Sequence, residues 1–217
     1  MIAFFHNIFE LLSFFVAIFY YRYLKGTFMK WFLPFLGFIW VGEFFAYYQN
    51  IILKVQAISI NYLIGIVESV FYGYIFYNLS QRVILKKAIL LFIPVSVLGY
   101  FLTYLFGRQF FHHFISNIII SGFFIAAIAL AYLYEKFADD DETLLVSEPG
   151  FWIAVGVSLF YSGISISFSL YNFIIKHDLS LFGLKLYKLV PRVLSVILYL
   201  CISISLILCK KKNKILS

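Results

Sequence analysis

The sequence predicts an all-α integral membrane protein, with residues 1–217 forming a single transmembrane helical domain. Of the 217 residues, 64% are apolar and 12% are charged, whereas soluble domains are nearer half apolar and a quarter charged. The chain also holds 28 Phe and 17 Tyr, and its mean hydropathy is +0.97. One soluble core of this size cannot hide so much apolar surface. A soluble enzyme, a disordered chain and a disulfide scaffold are therefore excluded.

Seven apolar stretches are long enough to cross a bilayer, which takes about 20 residues in a helix. The apolar residues run continuously in each stretch, which favours helices over the alternating pattern of barrel strands. The predicted spans are residues 2–21, 31–53, 58–79, 88–106, 113–134, 150–174 and 187–209.

The distribution of Lys and Arg predicts how the bundle is oriented. With the amino terminus outside, eleven of the 17 cations fall on the inner side and six on the outer side. Because inner loops are enriched in Lys and Arg, we expect the amino terminus outside and the carboxyl terminus inside. The net charge of +7 is then explained by cations near anionic lipid headgroups, and no nucleic-acid partner is predicted.

A weak internal repeat relates the second and sixth spans. IWVGEFFAYY at 39–48 is similar to IAVGVSLFYS at 153–162, and VESV at 67–70 is similar to VLSV at 193–196. These matches pair spans 1–3 with spans 5–7 and leave span 4 as a linker, a 3+1+3 arrangement of parallel repeats. The alternative is chance similarity in a sequence dominated by Phe, Ile, Leu and Tyr.

Among the ionisable residues inside the predicted spans, four stand out: Glu10, Glu43, Glu68 and Arg192. Such groups are costly in a bilayer and need a partner or a water-filled cavity. At 1.5 Å per residue, the three carboxylates lie about 12 to 15 Å from the outer ends of the first three spans. Arg192 is long enough to reach the same level, so we predict one polar cluster there. The alternatives are a structural hydrogen bond between helices and, for Glu10, a side chain that reaches the surface.

Further polar residues share the helix faces of these four, because positions three, four or seven apart form one stripe. The tyrosines among them have an alternative role as anchors at the membrane interface. The predicted ligand-binding residues are Glu43, Glu68, Arg192, Tyr47, Tyr72, Glu10, His6, Asn50, Asn61 and Asn172.

The sequence predicts no cofactor and no bound metal, and it favours a non-enzymatic role. The last span, VPRVLSVILYLCISISLILC, lacks the Lys that a retinal Schiff base requires. The only closely spaced His residues are the adjacent pair 112–113, which does not fit a helical zinc site. No nucleophile elbow, phosphate loop or CxxC motif is present.

Residues 135–148, EKFADDDETLLVSE, carry six acids and one Lys on the predicted cytoplasmic side. The segment has two interpretations. It is either a solvated loop or a docking surface for a cytoplasmic partner protein.

Three segments carry a resemblance to known proteins: KWFLPFLGFIWVGEFFAYY, VESVFYGYIFYNLS and EPGFWIAVGVSLFYSG. The chain resembles a group of uncharacterised small bacterial seven-helix membrane proteins. That resemblance implies a multi-pass protein of the bacterial cytoplasmic (inner) membrane and no particular activity. The 3+1+3 sugar transporters are similar in size and orientation, but their Pro-Gln signature in helices 1 and 5 is missing here.

These observations favour a sensor or receptor that binds a small cationic or hydroxylated ligand in an outward-facing polar pocket. Its cytoplasmic loops would relay the bound state to a partner. Three alternatives stay open: a proton-coupled or facilitative transporter of the 3+1+3 type, a membrane enzyme acting on lipid, and a structural membrane subunit.

Overall fold

The computed structural model describes residues 5–51, 58–107, 111–138 and 145–215, and these are almost entirely helical. Two-residue strands β1 (Ser180–Leu181) and β2 (Leu184–Lys185) form an antiparallel hairpin before the last helix. The helices are α1 Phe5–Leu24, α2 Phe32–Ile51, α3 Ile58–Leu79, α4 Val83–Gly107, α5 Phe111–Ala138, α6 Pro149–Ser169, α7 Tyr171–Lys176 and α8 Leu186–Ile215. The predicted all-α fold is confirmed.

Within the described ranges, six helices are long and apolar enough to cross a membrane. These six stretches are Phe28–Gln49, Ser59–Leu79, Val83–Leu105, Ile115–Ala138, Pro149–Ser169 and Leu186–Lys210. Helix α1 has 20 residues but is not among them, because His6, Asn7, Glu10 and Arg22 lower its hydropathy. Helices of this length and composition make the chain a multi-pass membrane protein.

Several helix ends differ from the predicted spans. The predicted sixth span, 150–174, is interrupted at Leu170, where α6 ends and the short α7 follows. Helix α5 continues to Ala138, so Glu135 is helical rather than part of a loop. The third span matches α3 at both ends.

The seven long helices of the described residues pack in a closed ring. Each of α1 to α6 contacts the next, α6 contacts α8, and α8 returns to α1, while α3 also touches α5 across the ring. Close approach of α6 and α8 depends on Gly156, where a Cβ would lie 2.8 Å from the Cβ of Cys201. Small residues at such crossings are typical of membrane helix packing.

We call the end of the ring where α1, α3, α5 and α8 begin the amino-end face, and the opposite end the carboxyl-end face. The half near the carboxyl-end face contains a buried aromatic layer. Phe35 stacks on Phe71 with ring centroids 3.7 Å apart, and Phe32 meets Phe71 edge-on at 4.9 Å. Phe76 and Tyr132 continue this layer with centroids 5.9 Å apart, and all five side chains are buried.

A buried carboxylate fastens the carboxyl-end face. Glu135 is 1% exposed and accepts hydrogen bonds from the Ser80 hydroxyl and the Gln81 backbone N–H, each at 2.6 Å. The end of α5 is thereby tied to the α3–α4 turn. Lys136 pairs with Glu148 at 3.8 Å. Two acids of the predicted docking segment 135–148 therefore make structural contacts, while residues 139–144 lie outside the described residues.

Candidate functional site: an acidic cavity between five helices

A cavity of about 340 Å³ opens between α2, α3, α4, α5 and α6, and we call it the acidic cavity. Glu43 of α2 and Glu68 of α3 both line it, although they lie 25 positions apart in the chain. Its remaining wall is mostly aliphatic and aromatic, as in other small-ligand sites. The polar lining residues are Glu43, Asn61, Glu68, Tyr100, Ser121 and Tyr161.

Helix α3 supplies one complete stripe of the wall. Asn61, Gly65 and Glu68 are spaced by four and three residues, which places them on one helix face, and all three line the cavity. A Cβ on residue 65 would lie 2.7 Å from Cζ of Tyr100. Glycine at this position therefore lets the Tyr100 ring of α4 rest against α3 and close that side.

The three carboxylates of the first three helices form one acidic cluster. Glu43 is an electrostatic neighbour of both Glu68 and Glu10. Glu43 is the most accessible, with 36% of its side chain exposed, and its Oε2 lies 3.6 Å from Nε2 of His6. Glu10 lies behind the cavity wall at 0% exposure, and neither of its oxygens makes a well-formed hydrogen bond, although the side chains of Glu43 and Tyr199 lie beside it. A carboxyl group in that position must either be protonated or, when ionised, have a counter-ion.

Buried tyrosines surround this cluster. Tyr161 of α6 is a neighbour of Glu68, and Tyr199 of α8 is a neighbour of Glu10. Tyr72 packs edge-on against Tyr161 with ring centroids 5.5 Å apart and is 2% exposed, so it lies beneath the carboxylates rather than in the cavity lining. Tyr161 is not among the residues predicted from the sequence, whereas Tyr199 lies on the predicted polar stripe of the last span, seven residues after Arg192. For Tyr161 a signal existed, because it lies three residues after Ser158 and four before Ser165, both of which are buried.

The expected partner of the carboxylates, Arg192, is placed elsewhere. Among the described residues it forms no ion pair with a carboxylate, and its buried Nη1 makes no hydrogen bond. Helix α8 does approach the cluster, but it does so through Tyr199, which lies seven residues after Arg192, or about 10 Å along the helix. The basic side chain that the structure places beside Glu43 is instead the imidazole of His6.

The other predicted residues are divided between the cavity and the surface. Asn61 lines the cavity, whereas Tyr47 is 37% exposed and is not part of the lining. Asn172 is exposed on α7, away from the cavity. The side chain of Asn50 lies outside the described residues.

Two further findings bear on chemistry. In the portion of the chain that the structure covers, no group of three His, Cys, Asp or Glu side chains is placed to hold a metal ion. Cys201 and Cys209 are both buried.

Comparison with family models, curated proteins and solved structures finds no match to this chain. The site must therefore be interpreted from its own geometry.

Proposed function

We propose that the protein is a membrane sensor or receptor that binds a small cationic or hydroxylated ligand in the acidic cavity. The observation that carries this proposal is that Glu43 and Glu68, two carboxylates from different helices, line one cavity together with Asn61. Carboxylate and amide oxygens accept hydrogen bonds from ammonium and hydroxyl groups. Ionisable residues at this depth are seldom retained without such a use.

The charge around the cavity supports a cationic ligand. Within the described residues, the ion pair closest to the cavity is that between His6 and Glu43, and no Lys or Arg lines the wall. A bound cation would supply the charge that the protein does not. The same oxygens, with one carboxyl protonated, would bind a hydroxylated ligand through neutral hydrogen bonds.

The aromatic layer supports a sensor that binds the ligand rather than a transporter that passes it through the bundle. Tyr72 lies directly below the acidic cluster, and Phe35 and Phe71 pack against it with ring centroids 5.5 Å away. A ligand in the cavity would therefore meet a closed floor. Binding would change the packing of this floor, and the segment 135–148 near the carboxyl-end face would pass that change to a cytoplasmic partner.

We place α1 across the bilayer as the seventh span, with the amino terminus outside. Helix α1 contacts both α2 and α8, and Phe15, Ile18 and Phe19 are 44–78% exposed on its outer surface. That surface suits lipid, while the buried Glu10 suits the ring interior. The positive-inside rule supports this orientation, and the resemblance to small bacterial proteins supports the bacterial inner membrane.

A second candidate, a 3+1+3 transporter, is favoured by the helix contacts. The sequential contacts α1–α2 and α2–α3 recur as α5–α6 and α6–α8, and the cross contact α1–α8 recurs as α5–α3. Helix α4 packs mainly on α3 and α5, as a linker would. This pattern supports two related triplets, as expected from the weak sequence repeat.

The proposal is tested by measuring ligand-induced stabilisation of the purified protein. Ethanolamine and tetramethylammonium serve as cationic probes, glycerol as a hydroxylated probe and acetate as an anionic probe. We expect at least one cationic or hydroxylated probe to raise the melting temperature saturably, while acetate has no effect. Glu43→Gln and Glu68→Gln should abolish the shift, whereas Glu148→Gln, which alters a carboxylate outside the cavity, should retain it. Equal shifts in all four proteins would refute the site.

Uptake distinguishes the transporter. Proteoliposomes are loaded with buffer that imposes a pH gradient and are then given the radiolabelled form of the stabilising probe. Accumulation that requires the gradient and disappears in Glu43→Gln would favour transport. Binding without accumulation would favour the sensor.

A further inference from the structure

A second, larger cavity adjoins the acidic cavity. It has a volume of about 540 Å³ and runs along the groove between α4 and α5, and we call it the apolar groove. Along α5 it extends from Asn117 to Ile128 and along α4 from Leu85 to Tyr100, which corresponds to about 16 to 22 Å at 1.5 Å per residue. One leaflet of the hydrocarbon core is about 15 Å thick, so the groove is as long as a lipid chain.

The two cavities share part of their wall. Tyr100 and Ser121 line both of them, and their hydroxyl oxygens are 2.7 Å apart in a hydrogen bond. Both residues are less than 10% exposed. The two cavities are therefore adjacent, with this hydrogen-bonded pair in the wall between them.

The polarity of the groove is graded along its length. Its polar lining groups, Ser96, Tyr100, Asn117 and Ser121, lie in the half that adjoins the acidic cavity, and the part from Leu85 to Val95 is lined by carbon alone. The buried hydroxyl of Ser96 makes no hydrogen bond. Tyr100, Asn117 and Ser121 form hydrogen bonds between α4 and α5. The Ser96 hydroxyl has no such structural use and is costly in a wall that faces only lipid.

We infer that the ligand is an amphiphile with a cationic amine head and one hydrocarbon chain, its head in the acidic cavity and its chain in the apolar groove. This inference rests on the proposed function and specifies the class of ligand for that site. Such a molecule matches both halves of the combined cavity, because carboxylates favour a cation and the carbon-lined groove is as apolar as the lipid that the hydrocarbon chain would leave. Entry from the bilayer between α4 and α5 requires the hydrogen bond between Tyr100 and Ser121 to break and the Tyr100 ring to move away from Gly65.

The test uses the full chain in phosphatidylcholine nanodiscs and three probes. Hexadecylamine carries both features, n-butylamine lacks the chain, and hexadecanoic acid lacks the cation. We expect a saturable rise in melting temperature with hexadecylamine at concentrations at which the other two probes have no effect. A hexadecylamine with a terminal diazirine should label residues of α4 or α5 that line the groove.

Matched variants separate the groove from the general lipid surface. Leu91 lines the groove and is 68% exposed, whereas the adjacent Leu90 is 55% exposed and does not line it. We expect Leu91→Trp to fill the groove and raise the half-maximal concentration of hexadecylamine about tenfold, since several buried CH₂ groups are lost, while Leu90→Trp has no effect. Glu68→Gln should reduce labelling by the diazirine probe, and Glu148→Gln should not.

Each contrary result has a distinct meaning. If n-butylamine binds as well as hexadecylamine, if Glu68→Gln weakens that binding and if Leu91→Trp leaves it unchanged, the acidic site is supported. The amphiphile inference is then overturned. If hexadecanoic acid binds equally and Glu68→Gln changes nothing, the groove holds ordinary acyl chains and the inference is again overturned. If neither amine changes the melting temperature or labels the protein, both the inference and the binding of a cation are refuted.

Discussion

Each end of the bundle buries a carboxylate, and the two carboxylates differ in their hydrogen bonding. At the carboxyl-end face, Glu135 is 1% exposed and accepts two hydrogen bonds of 2.6 Å. Toward the amino-end face, Glu10 is 0% exposed and its oxygens accept none. A satisfied buried carboxylate fixes the positions of its donors, whereas an unsatisfied one costs free energy. The first is structural, and the second marks the region where we place a ligand.

The same contrast extends to the space around each group. Next to Glu135, the side chains are packed closely enough that a Cβ on Gly150 would overlap the Tyr132 hydroxyl. Next to Glu10, the neighbouring Glu43 and Glu68 border an open cavity. Packing without voids is normal for protein interiors. The region around the acidic cavity, which is open and poor in hydrogen bonds, is therefore the one that requires a functional explanation.

The largest expected effect is at Glu135. Glu135→Ala should lower the free energy of unfolding in detergent micelles by about 3 kcal/mol, because hydrogen bonds to charged groups contribute about 1.5–3 kcal/mol each and their donors would stay buried. Glu148→Ala is the control, since a partly exposed ion pair is worth about 0–1 kcal/mol. Equal losses in the two variants would show that Glu135 does not fasten the helices.

A change at the wall of the acidic cavity should come next. Gly65→Ala places a Cβ 2.7 Å from the Tyr100 ring, and overpacking of this kind costs about 1–3 kcal/mol. We also expect the displaced ring to break its hydrogen bond to Ser121 and to change binding of the stabilising probe. Gly26→Ala is the matched control, because its Cβ would meet nothing within 4 Å. A Gly65→Ala protein with unchanged melting temperature and binding would contradict the assigned wall.

Replacing Glu10 should raise the free energy of unfolding, whereas the two preceding substitutions lower it. Glu10→Met keeps the length of the side chain and removes two buried, unbonded oxygens, so we expect the free energy of unfolding to rise by about 1 kcal/mol. The corresponding Glu135→Met should lower it. Thermal unfolding of the two variants in one detergent measures both. If Glu10→Met is instead destabilising, the carboxylate has a stabilising partner, and the contrast between the two ends fails.

Hydropathy was sufficient to predict most of the fold, but it could not locate every helix end. Helix α3 occupies the predicted 58–79 because polar residues flank a mostly apolar run. The break at Leu170 was missed because YNFII continues nearly as apolar as the helix before it. Hydropathy records the cost of polar groups in lipid and is insensitive to a local change in backbone direction.

The candidate site was partly predictable, because the cost of polar groups in lipid marks some of its residues and not others. Glu43 and Glu68 were identifiable because a carboxylate in a span is costly enough to imply a purpose. Tyr100 and Tyr161 were not, because a tyrosine serves equally as a packing residue, an interface anchor or a cavity wall. The prediction that Arg192 reaches the carboxylates failed because the contacts of a side chain depend on how the helices pack, which is a tertiary property that hydropathy does not report.

The smallest expected effect tests how α1 is held, on which the location of Glu10 depends. The Ser13 hydroxyl bonds the Tyr199 carbonyl oxygen at 2.6 Å and lies 2.7 Å from the Ser203 hydroxyl. Interhelical hydrogen bonds in membranes average about 0.6 kcal/mol, so Ser13→Ala should lower the free energy of unfolding by about that amount. Ser205→Ala is the matched control, because this buried hydroxyl makes no hydrogen bond and its removal should not lower the free energy of unfolding. Identical melting temperatures for both variants would mean that apolar packing alone holds α1 against α8.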